Sequence, residues 1–91
     1  MQNILITGTK GFIGSNLKSE LEGQFKIWEI NEDIFDSDDW MDQVSNLFEQ
    51  VDFYCAFHVG ACADTLEQGV NYMMLLNYQF TKHLTDLCKY F

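Results

Sequence analysis

Three glycines offer the clearest chemistry in this chain. Gly8, Gly11 and Gly14 lie in Thr7-Gly8-Thr9-Lys10-Gly11-Phe12-Ile13-Gly14, directly after the apolar run Asn3-Ile4-Leu5-Ile6. A G-x-x-G-x-x-G turn entered from a strand and left through a helix holds a dinucleotide pyrophosphate. Gly8 lets the chain reverse tightly, Gly11 removes a side chain where phosphate approaches backbone, and Gly14 lets the helix pack closely. A helix starting near Phe12 aims the backbone N–H groups of Phe12 and Ile13, and its positive dipole end, at the phosphates. Their side chains are expected to serve the core.

Other reactive residues fall around this loop. Glu29 follows Gly14 by fifteen residues, near the end of the second expected strand, where an acid accepts hydrogen bonds from the adenosine ribose. Asn31 is the neighbouring candidate, and a strand-end acid facing solvent is the plain alternative for Glu29. An acid there favours NAD over NADP, whose 2′-phosphate would meet like charge, although Lys10 pulls the other way. Gly60, Ala61 and Cys62 follow the last expected strand at the switch point of an open parallel sheet, where small residues let backbone pass close to a cofactor. Asn77 interrupts an apolar stripe between Met73 and Phe80, and a buried amide without partners costs about 1–3 kcal/mol, so it needs them. Thr65 and Glu67 suit either a sugar pocket or a helix N-cap. Cys62 has no general base within its motif, and His58 reads as a packed strand-end residue.

The elements that position these residues follow from periodicity. Residues 2–7 form a strand covered on both faces, because its apolar residues Ile4, Leu5 and Ile6 are consecutive rather than alternating. Residues 12–22 form a helix with Ile13, Leu17 and Leu21 inward and Gly23 as C-cap. Phe25–Ile30 is a strand, and Asp33-Ile34-Phe35 a very short third one. A helix over about 38–49, capped by Asp36 or Ser37, turns Trp40, Val44, Leu47 and Phe48 inward. Val51–His58 is the fourth strand, and a long helix runs from about Glu67 to Tyr90. The sum is an α/β chain, β-α-β-β-α-β-α, the first half of a Rossmann-type parallel sheet with strand order 3-2-1-4.

Bulk properties narrow the class. Ninety-one residues, 47% apolar, 15% aromatic and without proline, make one small globular domain. A net charge of −9, concentrated between Glu29 and Asp42, argues against nucleic acid and anionic membranes as partners. No apolar run suits a membrane span, and residues 2–7 lack the basic flank of a signal peptide. Three cysteines without C-x-x-C spacing read as free thiols of a cytoplasmic protein, with no metal site.

With T-G-x-x-G-F-I-G in place, the chain resembles the extended short-chain dehydrogenase/reductases, the NAD-dependent nucleotide-sugar epimerases and dehydratases. Phe57-His58-Val59-Gly60-Ala61-Cys62-Ala63-Asp64-Thr65-Leu66-Glu67 and Tyr72-Met73-Met74-Leu75-Leu76-Asn77-Tyr78-Gln79 are similar to the matching stretch of the ADP-glyceromanno-heptose 6-epimerases. The segment before Asp33 is shorter than in those enzymes, and Val59 stands where they carry glutamate. The resemblance implies that Asp33-Ile34 flanks an adenine ring, with a turn acid as the alternative, and that Asn77 braces backbone near the cofactor. It also implies a nucleotide-sugar partner for the full-length enzyme. The family's Tyr-x-x-x-Lys pair follows the next strand, so residues 1–91 are expected to be the cofactor-binding portion, with no catalytic residue and no activity alone; a non-catalytic NAD(P)-binding sensor module and a non-functional truncated product are the alternatives. The fourth strand would then be a sheet edge open to self-association.

Overall fold

Ile4, Leu5 and Ile6 are all buried, because the strand that carries them lies in the middle of the sheet. The computed structural model describes residues 1–60 and 75–91. The expectations for Ala61, Cys62, Thr65 and Glu67 lie outside the described residues, as does the side chain of Asn77. Strand β1 (Asn3–Thr7) runs parallel to both β2 (Lys26–Ile30) and β3 (Phe53–His58), in the order β2-β1-β3. Leu5 points into a core with Ile30, Trp40, Val44, Phe48, Phe80 and Leu84. Alternation places Ile4 and Ile6 on the opposite face, and they too are sealed from water. Ile4 lies opposite Cys55 while Asn3 lies opposite Phe53, so Tyr54 is the extra residue of a bulge at the start of β3.

Helix α1 (Phe12–Leu21) follows the glycine loop. Its inward stripe is Gly14, Leu17 and Leu21 rather than the expected Ile13, Leu17 and Leu21. Ile13 is 68% exposed and Phe12 83% exposed, which corrects the expectation that both serve the core. Contact at the first turn is made by backbone at Gly14, and this rotates the neighbouring side chains outward. Gly23 has no positive φ; the helix ends instead with Gln24 and Phe25 N–H groups both bonded to the Leu21 carbonyl.

The short third strand expected at Asp33–Phe35 is a 3-10 turn, Glu32–Asp36. Three acids in five residues have little β preference, and Ile34 and Phe35 both pack against the same core, which a strand's alternation forbids. The sheet is therefore the expected order with its outer member replaced by this turn. Helix α2 (Trp40–Gln50) buries Trp40, Val44 and Phe48 as its period requires. Its N-cap is Asp39, whose carboxylate accepts from Ser37 and Gln43 side chains. A π-helical stretch, Leu75–Phe80, leads into α3 (Thr81–Tyr90). Phe80 meets Phe35 and Trp40 edge-on at 5.2 and 5.8 Å, so the 3-10 turn, α2 and the start of α3 share one aromatic contact.

Candidate functional site

The carboxyl ends of all three strands meet at the glycine loop. Gly8 has φ +77°, in the region that favours glycine, and its N–H bonds the Ile30 carbonyl at 3.0 Å. A Cβ at Gly8 would stand 2.7 Å from the Gly60 Cα, so the loop after β1 crosses the loop after β3 in backbone contact. A Cβ at Gly14 would stand 2.0 Å from the Gly8 carbonyl oxygen, and that contact seats α1 on the loop. Gly11 differs from both: among the described residues its Cβ would meet only the Gly8 oxygen, at 3.6 Å, an ordinary contact.

Gly11 is the N-cap of α1, with extended backbone and no side-chain cap. The first intrahelical bond runs from the Ser15 N–H to the Gly11 carbonyl at 2.9 Å. The N–H groups of Phe12, Ile13 and Gly14 therefore precede the helical ladder and carry the positive end of its dipole. A helix start built this way favours an anion.

Thr9 ties the loop to the end of β2. Its hydroxyl donates to Glu29 Oε1 at 2.6 Å and accepts from Asn31 Nδ2 at 3.0 Å. Asn31 Oδ1 accepts the Lys10 N–H at 3.2 Å, and Lys18 from α1 reaches Glu29 Oε2 at 3.2 Å. The Thr9 hydroxyl, then the Lys18 ammonium, hold the Glu29 carboxyl below its ordinary value of 4.5. Glu29 thus has both oxygens engaged, each with lone pairs to spare for a further donor. Thr9 was invisible to motif reading; the signal available was a buried-capable hydroxyl inside a glycine loop.

A surface depression of about 410 Å³ opens beside this network, lined by Glu29, Ile30, Asn31, Asp33, Ile34, Asp36, Ser37 and Gln43. The sequence candidates for the ribose and adenine, Glu29 or Asn31 with Asp33 and Ile34, therefore share one pocket. The 3-10 turn brings Asp33 and Ile34 there. Gly60 joins the glycine loop on the other side. Burial pushes the Cys55 thiol up, away from the thiolate a nucleophile needs. No helix among the described residues is long and apolar enough to cross a membrane.

A parallel sheet wound β-α-β, with a glycine crossing at its carboxyl edge, is the first half of a Rossmann-type fold. The chain is similar to ADP-L-glycero-D-manno-heptose-6-epimerase of Cupriavidus pinatubonensis (strain JMP 134 / LMG 1197), 35% identical over 106 residues, covering 93% of this chain and 31% of that protein. This chain thus spans about a third of the length of that curated relative and is an epimerase-like segment. The matched stretch is longer than this chain, so the relative carries insertions that are missing here. No family model matches the chain, and no solved structure matches it.

Proposed function

We propose that residues 1–91 are the dinucleotide-binding N-terminal portion of an NAD(P)-dependent nucleotide-sugar epimerase or dehydratase. The observation that carries this reading is the contrast among the glycines. Among the described residues, self-packing demands glycine at positions 8 and 14, where a Cβ would collide with backbone, but not at 11, where it would meet one atom at 3.6 Å. A bare backbone at Gly11, beside the open start of α1, suits a diphosphate lying against the N–H groups of Phe12, Ile13 and Gly14. The likeness to an epimerase supports a nicotinamide dinucleotide as the source of that diphosphate.

The adenosine half then lies in the depression at the end of β2, with Glu29 or Asn31 toward the ribose and Asp33 and Ile34 beside the base. Glu29, Asp33 and Asp36 line it, a charge balance that favours a 2′-hydroxyl over a 2′-phosphate, and so NAD over NADP. Gly60 forms the far wall, and Ala61, Cys62 and Asn77 complete it on sequence grounds. A bound nicotinamide would supply hydride acceptance from a sugar carbinol. The groups of this chain bind and orient; the proton-transfer pair of the whole enzyme belongs to another part of it.

Titration of NAD and NADP into the purified chain, followed by calorimetry, tests the proposal beside Gly11→Ala. NAD is expected to bind more tightly than NADP. The variant should keep its stability within about 1 kcal/mol, the scale of an N-cap change, and lose NAD affinity about tenfold or more, as expected when a side chain displaces backbone N–H donors from a charged group. Equal NAD binding by parent and variant would remove the phosphate-loop assignment.

A further inference from the structure

The crossing of Gly8 and Gly60 is held by a chain of hydrogen bonds that starts inside the sheet. Thr7, the last residue of β1, is buried, and its Oγ1 accepts the Gly60 N–H at 3.0 Å. The same oxygen lies 2.7 Å from His58 Nδ1, and His58 Nε2 lies 2.7 Å from Thr81 Oγ1 on α3. Phe80 stands edge-on to the imidazole, with centroids 5.2 Å apart. A neutral ring joins the series in either tautomer: with Nε2 protonated, the Thr7 hydroxyl donates to Nδ1 and the ring donates to Thr81, and with Nδ1 protonated both directions reverse.

We infer that Thr7 and His58 are positioning residues that fix the Gly60 backbone against the phosphate loop and thereby set dinucleotide affinity. The affinity part rests on the function proposed above; the Gly60 part does not. Among the described residues, Thr7 ties the Gly60 amide to the sheet interior, and its side chain is restrained by His58, which is in turn held by Thr81. Since Gly8 touches Gly60 so closely that a Cβ would not fit between them, a loose Gly60 leaves Gly8 free to move as well. Neither residue lines the depression at the end of β2; both act through backbone.

Thr7→Val and Thr7→Ser separate this role from simple strand packing, which valine serves at least as well as threonine and serine serves worse. Amide hydrogen exchange at Gly60, read by NMR, and NAD binding by calorimetry are the two measurements. Serine is expected to retain slow Gly60 exchange and NAD affinity near the parent's. Valine should speed Gly60 exchange and weaken NAD about five- to tenfold, the scale of one lost buried hydrogen bond. Unchanged Gly60 exchange in Thr7→Val overturns the inference. If Thr7→Val does not fold, His58→Asn and His58→Leu decide the matter: an amide oxygen near the Nδ1 position should keep Gly60 protected, and leucine should not. If the parent binds no NAD, the proposed function fails, while Gly60 exchange alone still decides whether Thr7 and His58 position that backbone.

Discussion

The Thr9 hydroxyl donates to Glu29 Oε1 across 2.6 Å, joining the glycine loop to the end of the neighbouring strand. This bond is the largest contribution holding the Glu29 carboxyl below 4.5, ahead of Lys18. Thr9→Val should therefore raise the Glu29 pKa toward 4.5, read from its side-chain carboxyl carbon in an NMR titration. The sign for stability follows. A depressed folded pKa contributes stability that is present above the unfolded value and lost as pH falls through the folded one. The variant should lose less stability than the parent on acidification below 4.5.

Gly14 and Gly23 predict opposite outcomes for the same substitution. Gly14→Ala places a Cβ 2.0 Å from the Gly8 carbonyl oxygen, a backbone clash that neither partner can relieve by rotation. It should destabilise by about 3 kcal/mol or more in urea melts, the upper range for overpacking. Gly23→Ala meets nothing within 4 Å among the described residues and has no positive φ to strain. It should be neutral or stabilise by up to about 1 kcal/mol through the unfolded chain.

His58 gives a pH dependence above the carboxylate range. Burial holds its pKa below 6.5, so the folded protein prefers the neutral ring. Its stability contribution is present above 6.5 and fades as pH falls toward the folded value. Melting temperature should drop between pH 7 and pH 5.5, roughly the range in which an unperturbed histidine takes up its proton. In His58→Asn that drop should flatten; an equally steep drop would place its origin elsewhere.

Phe80 closes the aromatic contact of the 3-10 turn with α2 and is 2% exposed. Phe80→Ala should cost about 3–5 kcal/mol, the range for deleting a buried aromatic ring. Because Trp40 loses an edge-on neighbour, its fluorescence should shift at the same time, measured with Trp28→Phe as the common background.

Local pattern alone determined the features that need only neighbours in sequence. Three consecutive apolar residues mark a strand covered on both faces, and β1 is that strand. Trp40, Val44 and Phe48 recur at helical spacing, so α2 and its buried stripe were legible. The glycine spacing located the turn, and the positive φ at Gly8 and close packing at Gly14 follow from the same spacing. Glu29, Asp33 and Ile34 were legible as neighbours because a few residues at one strand end have little room to separate.

What tertiary structure alone decided were relations between residues far apart in the chain. Nothing near Thr9 in sequence shows that its hydroxyl lies between Glu29 and Asn31, twenty and twenty-two residues away. Nothing near Thr7 shows that it holds Gly60 and His58. The outward turn of Phe12 and Ile13 came from one backbone contact between Gly14 and Gly8, which rotated the helix off its most apolar stripe. Asp33–Phe35 became a 3-10 turn because both apolar side chains found the same core, a choice made by α2 and Phe80. Periodicity reports which side chains leave water; it does not report which backbone they approach, and the crossing of Gly8, Gly14 and Gly60 is made of backbone.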